Sequence, residues 1–337
     1  MNYIGIHFGC LSIRIYDFVY LKEGKQGEEI KIKRPFGLDE LYTYFQGTFP
    51  NAYDPNTKSV GYKAIKQVGI KGVKRFDKEF FQGLSLNNGI SERHIIIWRN
   101  FIKELFKNYK IGDFRNPIKI TIYLEDIDLS IERRKGVVWR GRDDYSGQVF
   151  NLMNDSWRKF RLDDVEFITN KEKVKIVRSF IENNQQINQN DSIAIIGDKN
   201  TSIYKFDDEN PKVRISCGSG INNLIKNCCN LDEHNIYQII HLCNQEGNQI
   251  SEVCMKNLQI WKNQLLPQMN SALRNICDFG KSNTVWIGGE GANLWNSVGK
   301  STHININRFY KLPDPLLVHA IGASLHQAHN ANSKENK

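Results

Sequence analysis

The strongest constraint on the fold of this chain is a pattern of strand, glycine turn and strand that occurs at the start of each half. Residues 3–16 hold the first copy and residues 192–206 hold the second, and further short strands are predicted at 29–33 and 213–216. Runs of β-branched and aromatic residues on either side of a glycine turn are typical of a β-hairpin. Because the pattern recurs without similarity of sequence, we predict a duplicated α/β fold whose two hairpins face each other across a cleft.

The chain is predicted to form two lobes. Lobe I covers residues 1–183 and contains a small irregular insertion at about 36–91, where Gly, Asn and Lys are frequent and periodicity is weak. Lobe II covers residues 184–316, and the polar run at 183–190 is the predicted linker between the lobes. A C-terminal helix at 317–330 is expected to return to lobe I.

Apolar periodicity and turn residues predict the remaining elements of both lobes. Strands are predicted at 119–124, 165–168 and 284–287. Helices are predicted at 93–106, after a capping box formed by Thr169 and Glu172, and from Ser251 onward. Pro267 is expected to kink or split the last of these helices, because proline has no amide hydrogen to donate.

Composition argues against several classes of protein. Apolar residues make up 40% of the 337 residues and charged residues 25%, which are close to the averages of soluble globular proteins. No apolar run reaches the roughly 18 residues that cross a bilayer, and the first residues do not resemble a secretion signal, so a cytoplasmic location is expected. The seven cysteines include no Cys-x-x-Cys pair, which argues against a disulfide framework or a zinc ribbon. The histidines and cysteines between 234 and 254 match no familiar ligand spacing, so no metal ligand is predicted.

The charge of the chain favours anionic partners. The formal net charge is +9, from 46 basic and 37 acidic side chains, which favours nucleic acid, nucleotides or an anionic membrane surface. Residues 132–142 concentrate Arg and Lys around Trp139, a combination that suits contact with phosphates and stacking on bases. The alternative is an exposed hairpin whose basic side chains are simply solvated.

Three glycine-containing loops each lie where a predicted strand ends, at 4–14, 195–201 and 285–292. Glycine lets the backbone approach a ligand closely, and successive amide groups in such turns can hold phosphate oxygens. In chain order, the loops resemble the first phosphate loop, the second phosphate loop and the adenosine loop of the actin-like ATPase superfamily. The run Gly-Gly-Glu-Gly in the third loop is the most specific of the three similarities.

Residues 59–64, residues 119–124, and residues 313–315 leading to 320–323 resemble segments of the plasmid-partitioning ParM/StbA branch of that superfamily. The resemblance therefore spans nearly the whole chain. It implies an actin-like fold, with two RNase H-like lobes around a central nucleotide cleft and a small irregular subdomain inserted in lobe I. It also implies ATP, or GTP, with Mg²⁺ as cofactor. The implied role is that of a homopolymer, which segregates plasmids through a DNA-binding adaptor or serves as a bacterial cytoskeleton.

By this resemblance, three groups of residues would contact the nucleotide. The groups are Gly9, Cys10, Ser12 and Arg14 in the first loop, Gly197, Asn200 and Thr201 in the second, and Gly288, Gly289, Gly291 and Ala292 around the adenosine. Arg14 replaces the usual lysine, and it keeps the positive charge but presents its donors in a different shape. A larger residue at Gly289 is expected to clash with the bound base or to strain the backbone.

The catalytic positions of the superfamily carry different residues here. His7 takes the place of the metal-side aspartate of the first loop, and Ile195 or Ile196 takes the place of its counterpart in the second. Asn170 falls near the residue that positions the attacking water. Asp198 could substitute after a shift of register or could be only a turn former, and His7 could be a core histidine. Losing a water-positioning base commonly costs about 10²–10⁴ in rate, so we expect a degenerate ATPase at best.

Two other classes of protein remain as alternatives. A non-catalytic scaffold with the actin-like fold would polymerise or bind partners without nucleotide, and ATP would not raise its thermal stability. A sugar-kinase-like phosphotransferase on the same fold would need an acidic base facing a sugar pocket, and the sequence offers none at an identifiable position.

Overall fold

The structure is a computed structural model. The residues that it describes are 2–9, 12–19, 43–69, 72–77, 79–80, 96–98, 100–101, 118–124, 162–168, 173–182, 184, 187–188, 191–197, 200–206, 211–217, 220–221, 252–276, 284–295, 308–312 and 315–335. No helix in these ranges is both long enough and apolar enough to cross a membrane.

The strands are β1 (Asn2–Phe8), β2 (Ser12–Val19), β3 (Thr43–Pro50), β4 (Ile118–Leu124), β5 (Leu162–Ile168), β6 (Ser192–Ile196), β7 (Thr201–Phe206), β8 (Pro211–Cys217), β9 (Thr284–Gly288) and β10 (Arg308–Lys311). The α-helices are α1 (Gly61–Val68), α2 (Lys173–Glu182), α3 (Glu252–Ile276) and α4 (Val318–Glu335), and Glu290–Trp295 is a 3₁₀ helix.

The first sheet has the strand order β3-β2-β1-β4-β5. Strands β1 and β2 form an antiparallel hairpin, and β3 is antiparallel to β2, whereas β1, β4 and β5 run parallel to one another. The apolar residues of the central strand β1 are buried on both faces of the sheet. Burial on both faces is typical of α/β proteins, in which helices cover the parallel strands.

The second sheet repeats this connectivity, with the order β8-β7-β6-β9-β10. Strand β7 is antiparallel to both β6 and β8, and β6, β9 and β10 are parallel. Each strand of the second sheet therefore has a counterpart in the first, with β6 equivalent to β1 and β9 to β4. The predicted duplication of an α/β unit led by a hairpin is confirmed.

One strand corrects the prediction from the sequence. Residues 36–91 are predicted as an irregular insertion, but Thr43–Pro50 pairs with β2 and is the edge strand of the first sheet among the described strands. Gly47 and Pro50 look like turn residues in the sequence. An edge strand tolerates both, because only one of its sides needs to hydrogen-bond. The strand predicted at 29–33 lies outside the described residues.

The helices follow the predicted periodicity. Helix α3 continues through Pro267, so the proline does not split it, and Trp261, Leu265 and Met269 are buried along one side. The helix predicted at 93–106 is described only at 96–98 and 100–101, and these residues are helical.

The chain forms two compact units by its internal contacts, residues 1–184 with 319–337, and residues 185–318. In the first unit, α2 and α4 share a buried cluster with the sheet, in which Tyr123 and Ile168 pack with Ile176 and Ala323. A second cluster of aromatic rings has centroid distances of 4.7–6.4 Å and consists of Phe8, Phe76, Phe80, Trp98 and Phe101.

Glycines allow the backbones of the first unit to touch. A Cβ atom on Gly5 of β1 would overlap the carbonyl oxygen of Ala320 in α4. A Cβ atom on Gly322 of α4 would overlap the carbonyl oxygen of Ile176 in α2. Helix α4 therefore lies directly on β1, and its first residues come close to the end of the first hairpin.

In the second unit, α3 packs against β7 and β8. The indole N–H of Trp261 donates to the carbonyl oxygen of Gly220 at 3.0 Å. Just before β6, the buried carboxylate of Asp191 accepts from the indole N–H of Trp286 at 3.0 Å and from the amide of Thr284 at 3.3 Å. These hydrogen bonds join the start of β6 to β9.

Candidate functional site

The two hairpin turns close with the same hydrogen bond. The amide of Gly9 donates to the carbonyl oxygen of Ser12 at 3.0 Å, and the amide of Gly197 donates to the carbonyl oxygen of Asn200 at 3.1 Å. In both hairpins the glycine directly follows the last residue of the first strand. Gly9 and Gly197 are therefore equivalent positions of the duplicated fold.

This equivalence identifies the counterpart of His7 in the second hairpin. His7 and Ile195 each lie two residues before the glycine of their own turn. His7 pairs with Arg14 across the first hairpin, and Ile195 pairs with Ser202 across the second. Of the two alternatives left open by the sequence, the counterpart of His7 is Ile195 and not Ile196.

His7 and Arg14 are bonded to each other inside the first unit. Each is only 1% exposed, and Nη1 of Arg14 donates to Nδ1 of His7 at 2.9 Å. A guanidinium has donors only, so Nδ1 must hold a lone pair, and the neutral ring carries its proton on Nε2. The resemblance assigns a metal-side position to His7 and phosphate contact to Arg14. In the structure these two side chains are hydrogen-bonded to each other.

Two rings that the sequence does not predict as site residues contact His7. Tyr123 stacks on the imidazole with a centroid distance of 4.9 Å, and the ring of His319 meets it edge-on at 4.6 Å. Tyr123 is the neighbour of His7 on β4, and His319 lies in the first turn of α4. The only sequence signal for His319 is a histidine at the start of an apolar helix. The surroundings of His7 are therefore those of a histidine in the core of the unit.

Asn51 anchors the first turn. Its side-chain amide donates to the carbonyl oxygen of Gly9 at 2.7 Å, and its side-chain oxygen accepts from the amide of Asp77 at 3.1 Å. The Asp77 carboxylate is held in turn by two nitrogens of Arg75, at 3.0 and 2.6 Å. In the second hairpin the equivalent carbonyl, that of Gly197, accepts from the backbone amide of Ile221 at 3.0 Å. No sequence signal identified Asn51, because β3, the strand that it directly follows, was not predicted.

The segment that follows Asn51 is a tight turn. The carboxylate of Asp54 accepts from the Thr57 hydroxyl and from the amide of Asn56, the latter at 2.9 Å. The hydrogen bond from Thr57 is the main reason that the pKa of Asp54 lies below its usual value, and burial opposes it. The turn continues into α1, where Gln67 accepts from the hydroxyls of Thr57 and Ser59.

Replacing Asn51 with leucine should lower the free energy of unfolding by about 1–3 kcal/mol, because the buried carbonyl of Gly9 and amide of Asp77 lose their partner. Urea denaturation measures this change, and hydrogen exchange at the first turn should accelerate. Asn100→Leu is the matched control, because Asn100 donates to a backbone carbonyl too, that of Lys58 at 2.7 Å. Equal acceleration of exchange at the first turn in both variants would show that Asn51 does not anchor that turn.

The predicted adenosine loop packs against the end of β6 in its own unit. Gly289 has a φ of +87°, and its amide donates to the carbonyl oxygen of Pro315 at 2.7 Å. A Cβ atom on Gly289 would lie 2.5 Å from the carbonyl oxygen of Ile196. A Cβ atom on Gly291 would overlap the Ile196 side chain and lie 3.4 Å from Trp261. The second unit therefore needs both glycines for its own packing.

A substitution at Gly289 is consequently expected to disturb the packing of the second unit, whether or not a nucleotide binds there. The sequence attributes the expected clash of Gly289→Val to a bound base, whereas the structure already provides a clash with β6. Positive φ adds strain for any residue with a side chain. Loss of nucleotide binding in this variant would not identify a nucleotide pocket.

The other predicted site residues divide into two groups. Ser12 and Asn200 are half-buried at the ends of the two turns, and Thr201, Gly288 and Ala292 are buried. Cys10, Asn170 and Asp198 lie outside the described residues, as does the basic segment 132–142.

Neither turn, in its described residues, has side chains that fit a magnesium ion. Within the described ranges, no three His, Cys, Asp or Glu side chains are grouped so that they could hold a metal. Mg²⁺ prefers oxygen ligands and water molecules that carboxylates hold. The two equivalent positions carry His7, whose Nδ1 is occupied by Arg14, and the aliphatic Ile195. The positive charge of the Arg14 guanidinium favours an anion such as phosphate instead.

Comparison with solved structures defines the class of fold. The chain is similar to MreB5 of Spiroplasma citri bound to AMPPNP, with a TM-score of 0.52, 13% identity, and coverage of 99% of this chain and 98% of that chain. The same protein bound to ADP gives a TM-score of 0.52 and 12% identity, and the alignment covers 100% of this chain and 99% of that chain. No protein-family model matches the sequence. No curated protein matches it.

The chain therefore has the actin-like fold, as the resemblance of its three glycine loops predicts. The similarity extends over the whole length of both chains, so neither half is a separate kind of domain. At 12–13% identity the similarity defines the fold alone, and it does not select the ParM/StbA branch.

Proposed function

We propose that this protein is a filament-forming actin-like protein whose assembly is regulated by an adenine nucleotide. The main support is the actin-like fold over the whole chain, together with the same glycine turn at the end of the first strand of each sheet. Tight turns of this kind can present backbone amides to phosphates. The similar MreB5 structures are bound to AMPPNP and ADP, which favours ATP over GTP as the ligand here.

In this proposal three groups of residues contact the nucleotide. Gly9, Cys10 and Ser12 serve the first turn, Gly197, Asn200 and Thr201 serve the second, and the backbone around Gly288 to Ala292 borders the adenosine. Arg14 supplies the positive charge of the first loop through its buried guanidinium. A ligand that binds one arrangement of the lobes more tightly than another shifts the population toward it, and assembly would follow that shift.

The cellular role is a bacterial cytoskeleton or the segregation of plasmid DNA. A contact between unlike faces of identical subunits does not close on itself, so it generates a helical filament. In the second role the filament would act through a DNA-binding adaptor. Direct contact with a polyanion or a membrane surface through 132–142 would fit the net charge of +9.

Sedimentation and negative-stain microscopy test this proposal. We expect the protein at micromolar concentration to pellet and to form filaments with ATP, and to pellet less without nucleotide. Adenine nucleotide at about 100 times its dissociation constant should stabilise the fold by about 2.7 kcal/mol. A monomer under every nucleotide condition would rule out the filament.

A second candidate is a non-catalytic scaffold that assembles or binds partners without nucleotide. One observation favours it, namely that Arg14 is 1% exposed and bonded to His7. Filaments that form equally with and without ATP, combined with no thermal stabilisation by ATP, would select the scaffold.

A further inference from the structure

We propose that this protein binds its nucleotide as the free anion, without a divalent cation. The inference rests on the proposed nucleotide function and concerns the chemistry of the same two turns. The resemblance to actin-like ATPases implies Mg²⁺ beside two carboxylates, one from each hairpin. Those two positions hold His7 and Ile195, which pair with Arg14 and Ser202. These residues suit a nucleotide without a bound metal ion.

The hydrogen bonding of His7 is wrong for hydrated magnesium. Water molecules on Mg²⁺ point their hydrogens outward, so the groups around them must accept hydrogen bonds. The neutral imidazole has one acceptor, Nδ1, and that lone pair receives the N–H of Arg14 at 2.9 Å. The remaining nitrogen, Nε2, carries the proton and is a donor. While this bond exists, His7 can neither ligate the metal nor hold its water.

Arg14 adds a fixed positive charge at the same place. Its guanidinium stays protonated at every physiological pH, and its side chain is buried beside His7. Buried charges are screened less than exposed ones. By its charge, a guanidinium repels a divalent cation and attracts a phosphate.

The second hairpin supplies no replacement carboxylate at the equivalent place. Ile195 is fully buried and aliphatic, and Ser202, which pairs with it across the hairpin, is uncharged. Neither side chain offers the negative oxygen that would attract Mg²⁺. The two hairpins of the duplicated fold have therefore lost the same feature at equivalent positions.

The change in charge equals that of the missing ion. Replacing two carboxylates by a neutral ring and an aliphatic chain makes these positions more positive by two charges, which is the charge of one Mg²⁺. A free triphosphate is more negative than its magnesium complex by the same amount. The loss of two negative charges from the protein thus balances the two extra negative charges of the metal-free nucleotide.

Calorimetric titration of ATP tests this inference in two buffers, one with EDTA and one with excess MgCl₂. We expect binding in EDTA to be at least as tight as binding in magnesium. Binding that is about tenfold tighter in magnesium, or more, would overturn the inference. The absence of binding in both buffers, with filaments unaffected by ATP, would instead overturn the nucleotide function on which it rests.

A pair of variants at position 7 separates charge from shape. Aspartate and asparagine have nearly the same shape, and both can accept the hydrogen bond from Arg14, but only aspartate is charged. In His7→Asp, we expect binding in EDTA to weaken relative to binding in magnesium by about tenfold or more. In His7→Asn, the ratio of the two dissociation constants should stay near that of the unmodified protein. The same ratio in both variants would show that charge at position 7 does not act on the nucleotide.

Asp198 is the subject of the last test, because it lies between Gly197 and Asn200 in the sequence. Asp198→Asn should leave the ratio between the two buffers unchanged. If the unmodified protein requires magnesium and Asp198→Asn loses that requirement, then Asp198 supports the ion and the inference is wrong. Circular dichroism of each variant shows that the fold is retained.

Discussion

An alanine at position 5 should lower the free energy of unfolding by about 3 kcal/mol, the upper end of the usual cost of overpacking. The added methyl group would overlap the carbonyl oxygen of Ala320 and lie 2.8 Å from the amide of Ser324. Both contacts are with backbone atoms of α4, which cannot relieve the overlap by changing rotamer as a side chain can. Urea denaturation of Gly5→Ala measures the loss, and a weakened contact between β1 and α4 should also displace His319 from the ring of His7.

Gly69→Ala is the control for this measurement. Gly69 has a φ of +70°, but apart from its chain neighbours no heavy atom of the described residues lies within 4 Å of the position of its Cβ. Its ψ is 167°, a combination that is nearly confined to glycine, so alanine there should cost only the strain of its backbone conformation, about 1–3 kcal/mol. If Gly5→Ala lowers the free energy of unfolding by less than about 1 kcal/mol, then α4 does not lie on β1 as described.

Release of phosphate from ATP should be slow, about 10²–10⁴ below the rate that a positioned catalytic base would support. The described residues supply no carboxylate at His7 or at its counterpart Ile195. Rates should be measured on pelleted protein, so that assembly and hydrolysis are observed in the same sample. Binding without rapid turnover would make the nucleotide mainly a structural ligand.

Variants at the two equivalent positions test this expectation. His7→Asp and Ile195→Asp should be made singly and together, with His7→Asn as the uncharged control. Ile195 is fully buried, so an aspartate there places a charge in the core, and thermal melting must first show that the variant folds. Rapid magnesium-dependent release by the unmodified protein would contradict the prediction. Asp198→Asn and Asn170→Ala would then show which residue supports the reaction.

The strands that were predicted well are those whose sequence pattern is local. β1, β2, β6 and β7 are rich in apolar and β-branched residues and lie on both sides of a glycine turn, so short-range preferences suffice to specify them. β3 was missed because it contains Gly47 and ends at Pro50. Only its pairing with β2 makes it a strand, and pairing partners are not visible in the segment itself.

The candidate site was predicted in part for the same reason. The glycines of the turns follow from local chain geometry, and the absence of an aspartate at position 7 is visible in the sequence. The correspondence of His7 with Ile195 required the hydrogen bonds of both turns, because without them the alignment could be shifted by one residue. The role of Gly289 also changed, since its neighbour is β6 of the same unit.

The sequence by itself determined the two hairpins, the glycines of their turns and the resemblance that predicts an actin-like fold. The tertiary structure decided that Arg14 hydrogen-bonds to His7 and that Asn51 hydrogen-bonds to Gly9, 42 residues away. It also decided that the ring of His319 packs edge-on against His7. The physical reason is the range of the interactions. Turn geometry and periodicity act between near neighbours in the chain, whereas hydrogen bonds and ring contacts in the interior depend on which distant segments the fold brings together.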